Sequence, residues 1–220
     1  MFNVTERNDR SLRNQHNHLP YPPFLLITDR KQACLPLTDI CAAASRAGCK
    51  WFMVREKEIG ANDLTRLTRR IIEVVDPEAR VVVNGNVSSA LKAGASGMHF
   101  QSIELAIEAR KTLPCHFLIG YSAHSISDAA AAERAELDYV TLSPIFNTKS
   151  KPGYGPILGL SGLRSAVVAL NIPIIALAGI CHQNASDVIS SGSAGFAVMG
   201  EVMRSPRPEP TTSKFVEEYL

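Results

Sequence analysis

From residue 24 onward, short apolar runs of four to six residues alternate with longer stretches in which apolar positions recur at helical spacing. The runs predict strands at 24–28 (FLLIT), 50–55 (KWFMVR), 80–84 (RVVVN), 97–100 (GMHF), 116–120 (HFLIG), 138–142 (DYVTL), 173–178 (PIIALA) and 195–199 (GFAVM). Between them the pattern predicts helices near 36–48, 61–75, 86–93, 104–112, 127–136, 160–170 and 183–191, and a last one over 211–219. Strands that alternate with helices pair in parallel, because the helix must carry the chain back to the starting edge.

Eight such units within about 200 residues predict the α/β class and a single closed (β/α)8 TIM barrel. An open doubly wound sheet would show a glycine-rich turn after its first strand. Here Asp29-Arg30-Lys31-Gln32 follows, without glycine. Gly48, Gly94 and Gly192 stand where helices should end, and Asp63, Asp128 and Asp187 where they should begin. The similar turns AGASG (93–97) and SGSAG (191–195) suggest repeated units of one domain. Two parts follow: a polar arm over 1–22, expected to be loosely attached, and the barrel over 23–220. The longest irregular stretch, Asn147 to Gly159, follows the sixth strand, where a loop of that length is usually functional.

Composition then removes several classes of function. The formal net charge is only +2, with both signs spread along the chain, so neither nucleic acid nor an anionic membrane is an expected partner. No apolar run approaches the ~18 residues of a bilayer span, and the polar start is not a secretory signal. The five cysteines, Cys34, Cys41, Cys49, Cys115 and Cys181, show no C-x-x-C spacing. Free, mostly buried thiols in a reducing cytoplasm are expected, not zinc ligands or disulfides. A homo-oligomer is compatible with the sequence.

Barrel active sites form where strands end, so the polar residues at those ends are the candidates. Met53, Arg55 and Lys57 share one face of an extended strand, and two cations at a barrel mouth suit an anion. Val54 and Glu56 would face the helices or solvent. Asn84 ends the third strand, with Asn86 placed to cap the next helix. His99 in the fourth strand reads as a hydrogen-bonded core residue. Gly120-Tyr121-Ser122-Ala123-His124-Ser125 is a polar cluster directly after the fifth strand, and His124 could pass protons near neutral pH. No acid is placed to complete a Ser-His-Asp triad. Thr148, Ser150 and Lys151 offer hydroxyls and charge to a phosphate or pyrophosphate. Gly179 and Gly200 end the seventh and eighth strands, where backbone N–H groups commonly hold phosphate.

Taken in order, LLITDR (25–30), VREK (54–57), VVNG (82–85), GMHFQ (97–101), IGYSAHS (119–125), DYVTLSPIFNTKSK (138–151), PIIALAGI (173–180) and GFAVMG (195–200) resemble the thiamine phosphate synthase/TenI family. The resemblance covers essentially the whole barrel. It implies either of two activities. Synthases join a pyrimidine pyrophosphate to a thiazole phosphate with magnesium, whereas TenI-type proteins isomerise a thiazole carboxylate phosphate without a metal.

Relative to the synthase pattern, Met53 replaces a glutamine, Gly85 replaces a magnesium-binding aspartate, and Gly200 replaces a serine. Glu104 aligns with the second metal-binding aspartate. On these departures the sequence reads as a TenI-like thiazole tautomerase, an isomerase with no metal and with His124 as the catalytic acid/base. A small phosphorylated thiazole, a thiamine precursor, would be its partner. Arg55, Lys57, Asn84, Ser122, Thr148, Ser150, Lys151, Gly179 and Gly200 would bind it. The alternatives are a thiamine phosphate synthase using magnesium near Glu104, and a non-catalytic phosphate-binding barrel.

Overall fold

The structure is a computed structural model and describes residues 19–148 and 155–219. Residues 1–18 of the expected arm over 1–22, and Ser150 and Lys151 of the expected phosphate loop, lie outside the described residues. Eight parallel strands close on themselves in chain order, β1 pairing with both β2 and β8. They are β1 (Phe24–Ile27), β2 (Trp51–Val54), β3 (Arg80–Asn84), β4 (Gly97–Phe100), β5 (Leu118–Ala123), β6 (Tyr139–Leu142), β7 (Ile174–Leu177) and β8 (Gly195–Val198).

Helices α1 (Leu37–Arg46), α2 (Ala61–Val74), α3 (Val87–Ala93), α4 (Ile103–Thr112), α5 (Ile126–Arg134), α6 (Gly159–Ala169) and α7 (Ala185–Ser190) fill the crossovers. Two more, α8 (Gly200–Met203) and α9 (Pro208–Val216), follow β8. The sequence did not predict α8. It also placed the last helix three residues late: Pro208 starts it, as a proline with preset φ can, and Glu217–Tyr219 forms a 3-10 turn.

Strand alternation divides the apolar residues into two cores. Leu25, Ile27, Trp51, Met53, Val82, Leu118, Tyr139, Ile175 and Ala197 fill the barrel interior. Phe24, Leu26, Phe52, Val54, Val83, Met98 and Phe196 face outward, beneath the helices. Leu19, assigned to the arm by sequence, packs against the interior group. Two of the five free cysteines, Cys41 and Cys49, are buried, and burial pushes both thiols up, Cys49 to about 12. Cys34 is exposed and Cys115 and Cys181 are half-buried, so the expectation of mostly buried thiols holds for the first pair alone.

The main correction concerns β5, which runs through Ala123 instead of stopping at Gly120. Gly120 is an interior strand position. It pairs with His99 on one side and Tyr139 on the other. A Cβ there would overlap the Tyr139 ring, so the missing side chain lets that ring cross to His99. Ser122 is thus held on a strand, not in a loop. Asn86 caps α3, its side chain accepting from the Ser89 N–H at 2.8 Å.

Candidate active site

The carboxyl ends of the strands surround a cavity of about 630 Å³. Arg55, Lys57, Asn84, Ser122, His124, Thr148, Gly179 and Gly200 all line it. Ile27, Met53, Leu177 and Ala197 give it an apolar floor continuous with the interior core.

On the β2–β6 side the lining is made of side chains. Arg55 is half-buried, and Lys57 donates to Gln101 Oε1 at 3.2 Å. Glu56, between them, is buried, so of the two surroundings expected it does not face solvent. It accepts from the Thr28 hydroxyl at 2.7 Å and from the Arg30 N–H at 3.1 and 3.2 Å. It thereby fixes the β1–α1 loop. Burial raises its pKa, while those hydrogen bonds act against the rise.

His99 is buried at the base of this side. Burial first, then the charge of Arg55, pushes its pKa down to about 3, so the ring is neutral at physiological pH. Nδ1 lies 3.1 Å from the Tyr139 hydroxyl, and Nε2 lies 2.9 Å from Ser122 Oγ and 3.4 Å from Thr141 Oγ1. Tyr139 is buried and its pKa raised, so its proton stays and must be donated. Donation to Nδ1 leaves Nε2–H to serve Ser122. The Ser122 hydroxyl then accepts from below and has its own proton to offer the cavity. His99 is therefore both the core residue expected and part of the cavity lining. The alternation that put Met53 and Arg55 on one face would have found Thr141 as well.

His124 follows β5 at the rim. Its Nδ1 lies 2.9 Å from the Ser143 carbonyl, which can only accept, so Nδ1 carries the proton. Its backbone N–H donates to Asp128 at 2.9 Å.

On the β7–β8 side the lining includes two glycines and a tight turn. Ala178 and Gly179 both have positive φ, +83° and +68°. A Cβ on Gly179 would overlap the Asn147 carbonyl and come within 2.7 Å of Phe146 Cβ, so glycine is required by the approach of the β6–α6 loop. Asn184 braces this turn from both sides, donating to the Gly179 carbonyl at 3.0 Å and accepting from the Cys181 N–H at 2.9 Å. Gly200 opens α8. Asp29, Gln32, Glu201 and Arg204 also line the cavity, and sequence reasoning had singled out none of them as site residues.

The residues assigned to magnesium do not come together. Gly85 is absent from the cavity lining and brings no carboxylate. Glu104 is exposed, accepts from the Ser102 hydroxyl at 2.6 Å and does not line the cavity; that hydrogen bond lowers its pKa. Asp29 has both carboxylate oxygens engaged, by the Lys31 N–H and the Gln32 amide. Among the described residues, no cluster of three or more His, Cys, Asp or Glu side chains is arranged for a metal.

A closed barrel with Arg55 and Lys57 on one side of its mouth, and with glycines and Arg204 after β7 and β8, has the construction of a phosphate-binding barrel. Residues 24–202 match the family model described as thiamine monophosphate synthase, and the chain belongs to that family.

A thiamine-phosphate synthase from Methanoculleus marisnigri is 37% identical over 168 residues, 76% of this chain and 80% of its own. One from Roseiflexus sp. (strain RS-1) is 32% identical over 205 residues, 90% and 87% of the two chains. Among solved structures, thiamine phosphate pyrophosphorylase from Pyrococcus furiosus superposes with a TM-score of 0.79 at 27% identity, covering 95% and 99% of the chains.

These relatives overturn the tautomerase expectation. Of the departures that prompted it, Gly200 lines the cavity. Met53 belongs to the apolar floor, and Gly85 lies outside the lining. Among the described residues, no helix is long and apolar enough to cross a membrane.

Proposed function

We propose that the chain is a thiamine phosphate synthase, a transferase that condenses hydroxymethylpyrimidine pyrophosphate with thiazole phosphate. The observation that supports this reading is one cavity lined by Arg55 and Lys57 on one side and by Gly179 and Gly200 on the other, above an apolar floor. Two substrates, each with an anionic group and a flat ring, need such a layout.

The condensation forms a bond from the thiazole ring nitrogen to the carbon that bore the pyrophosphate. The carbon–oxygen bond breaks, and pyrophosphate leaves with the electron pair. The ring nitrogen becomes quaternary and has no proton to lose, so no general base is required. The chain's task is to align the rings and stabilise the departing charge. Arg55, Lys57 and Thr148 would face the pyrophosphate. Asn84 and Ser122 would orient the rings, and the turns at Gly179 and Gly200 would receive the thiazole phosphate. His124 would help shape the rim.

Magnesium accompanies this reading through the family. The carboxylates present do not form the pair expected for it, so no step is assigned to the metal. Five cysteines without a pairing pattern support a cytoplasmic setting for the reaction.

The test is incubation of the purified chain with both substrates, with magnesium and with chelator, and detection of thiamine phosphate and pyrophosphate in equal amounts. No product at saturating substrate and magnesium would sink the reading. Substrate binding without product would favour a non-catalytic barrel.

A further inference from the structure

Gly200 and Arg204 lie one helical turn apart, at the two ends of α8, and both line the cavity. A Cβ on Gly200 would overlap the Arg204 guanidinium, with Cζ and Nη2 each at 2.8 Å. The guanidinium therefore lies against the bare Cα of Gly200.

It is also held from the far side. Arg204 Nη1 donates to Gln32 Oε1. The Gln32 amide nitrogen donates in turn to Asp29 Oδ2 at 2.6 Å. The loop carrying both residues is fixed by buried Glu56 through the Arg30 N–H. The side-chain partner of Arg204 is thus a neutral amide, and no carboxylate forms an ion pair with it among the described residues. Its guanidinium stands beside Gly200, in the cavity that Gly179 also lines.

We propose that Arg204 is a phosphate-binding, specificity-determining residue that clamps the thiazole phosphate against these turns, and that position 200 is glycine to leave its guanidinium room. This inference rests on the synthase reading and adds to it a charged ligand for one substrate. With Nη1 turned to Gln32, the rest of the planar fork can bond two phosphate oxygens, as a lysine ammonium could not. Gln32 acts through Arg204 as a positioning residue.

The experiment compares thiazole phosphate with the corresponding thiazole alcohol by titration calorimetry on the full chain, alongside KM for both substrates of the condensation. Arg204 is exposed, so Arg204→Met should fold, and circular dichroism checks it. Arg204→Met is expected to weaken thiazole phosphate about 10- to 100-fold, the value of a charge-assisted contact, and to leave the alcohol within about twofold. The KM for the pyrimidine pyrophosphate should stay where it was, and Arg204→Lys should recover only part of the loss. Gly200→Ala, whose methyl displaces the guanidinium, should weaken phosphate binding in the parent and add little on top of Arg204→Met.

An undiminished preference for the phosphate over the alcohol in Arg204→Met would overturn the inference. So would equal losses for both ligands, or a change confined to the pyrimidine substrate. If the parent makes thiamine phosphate while its phosphate preference ignores Arg204, only this inference fails. If the preference depends on Arg204 but no thiamine phosphate forms, the synthase reading fails and the role of Arg204 stands.

Discussion

On the β2–β6 side of the mouth, Arg55, Lys57, Asn84 and Ser122 reach the cavity as side chains on strands or directly after them. On the β7–β8 side, the turns at Gly179 and Gly200 line it, supplemented by Arg204 from the end of α8. The first side is tuned by charge and by a buried hydrogen-bond chain. The second is tuned by how closely backbone segments approach. Side-chain sites tolerate backbone adjustment but fail when one group is removed. Backbone sites carry no removable group and fail when space is filled.

The comparison breaks most sharply at Arg55. Arg55→Met should lower kcat for condensation about 10²- to 10³-fold, the usual cost of losing a donor to developing negative charge, with the thiazole phosphate KM little changed. Steady-state kinetics with each substrate varied would check it.

Acid should act on the side-chain half through His99. Its pKa is depressed from 6.5 to about 3 in the fold. The unfolded chain therefore binds a proton below pH 6.5 that the folded chain refuses. Stability is present above that pH and is lost as pH falls toward 3, by about 1.4 kcal/mol per unit from this group. Urea unfolding at several pH values should show the slope in the parent and its loss in His99→Asn.

Filling space on the other half gives a smaller effect. Gly179→Ala should raise the thiazole phosphate KM about tenfold and lower stability by about 1–2 kcal/mol, because an L-residue is forced to positive φ against a neighbouring carbonyl. The pyrimidine KM should hold.

The smallest effect is expected at the rim. His124→Asn should leave kcat for condensation within about threefold, far from the ~10²-fold or greater loss of a general acid–base catalyst. A large loss would mean that a proton moves in the rate-limiting step.

The two halves also differ in how far the sequence disclosed them. Period-two alternation put Met53, Arg55 and Lys57 on one face, and the structure brings all three to the cavity. The same rule applied to β6 would have added Thr141. It failed at β5 because Gly120 looks like a terminator, whereas it is a slot for the ring of a residue 19 positions later. Arg204 could not be read. Four residues of α8 are too few for periodicity to register, and the partners of Arg204 lie at the opposite end of the chain. The turns at Gly179 and Gly200 were visible as glycines, but the reasons differ: one avoids the β6–α6 loop, the other makes room for a guanidinium. The tautomerase expectation rested on Met53, Gly85 and Gly200, and the synthases at 32–37% identity overturn it; Met53 packs into the apolar floor, and Gly200 lies against the Arg204 guanidinium.

Trp51, the chain's only tryptophan, lies edge-on to Tyr139 with ring centroids 4.7 Å apart. Tyr139 in turn is joined through His99 to Ser122 at the cavity. The barrel thus places an intrinsic fluorophore against the ring of a tyrosine that is hydrogen-bonded, through His99, to the cavity. Binding at Ser122 is expected to shift Trp51 emission in the unmodified protein, and titration with thiazole phosphate would check it.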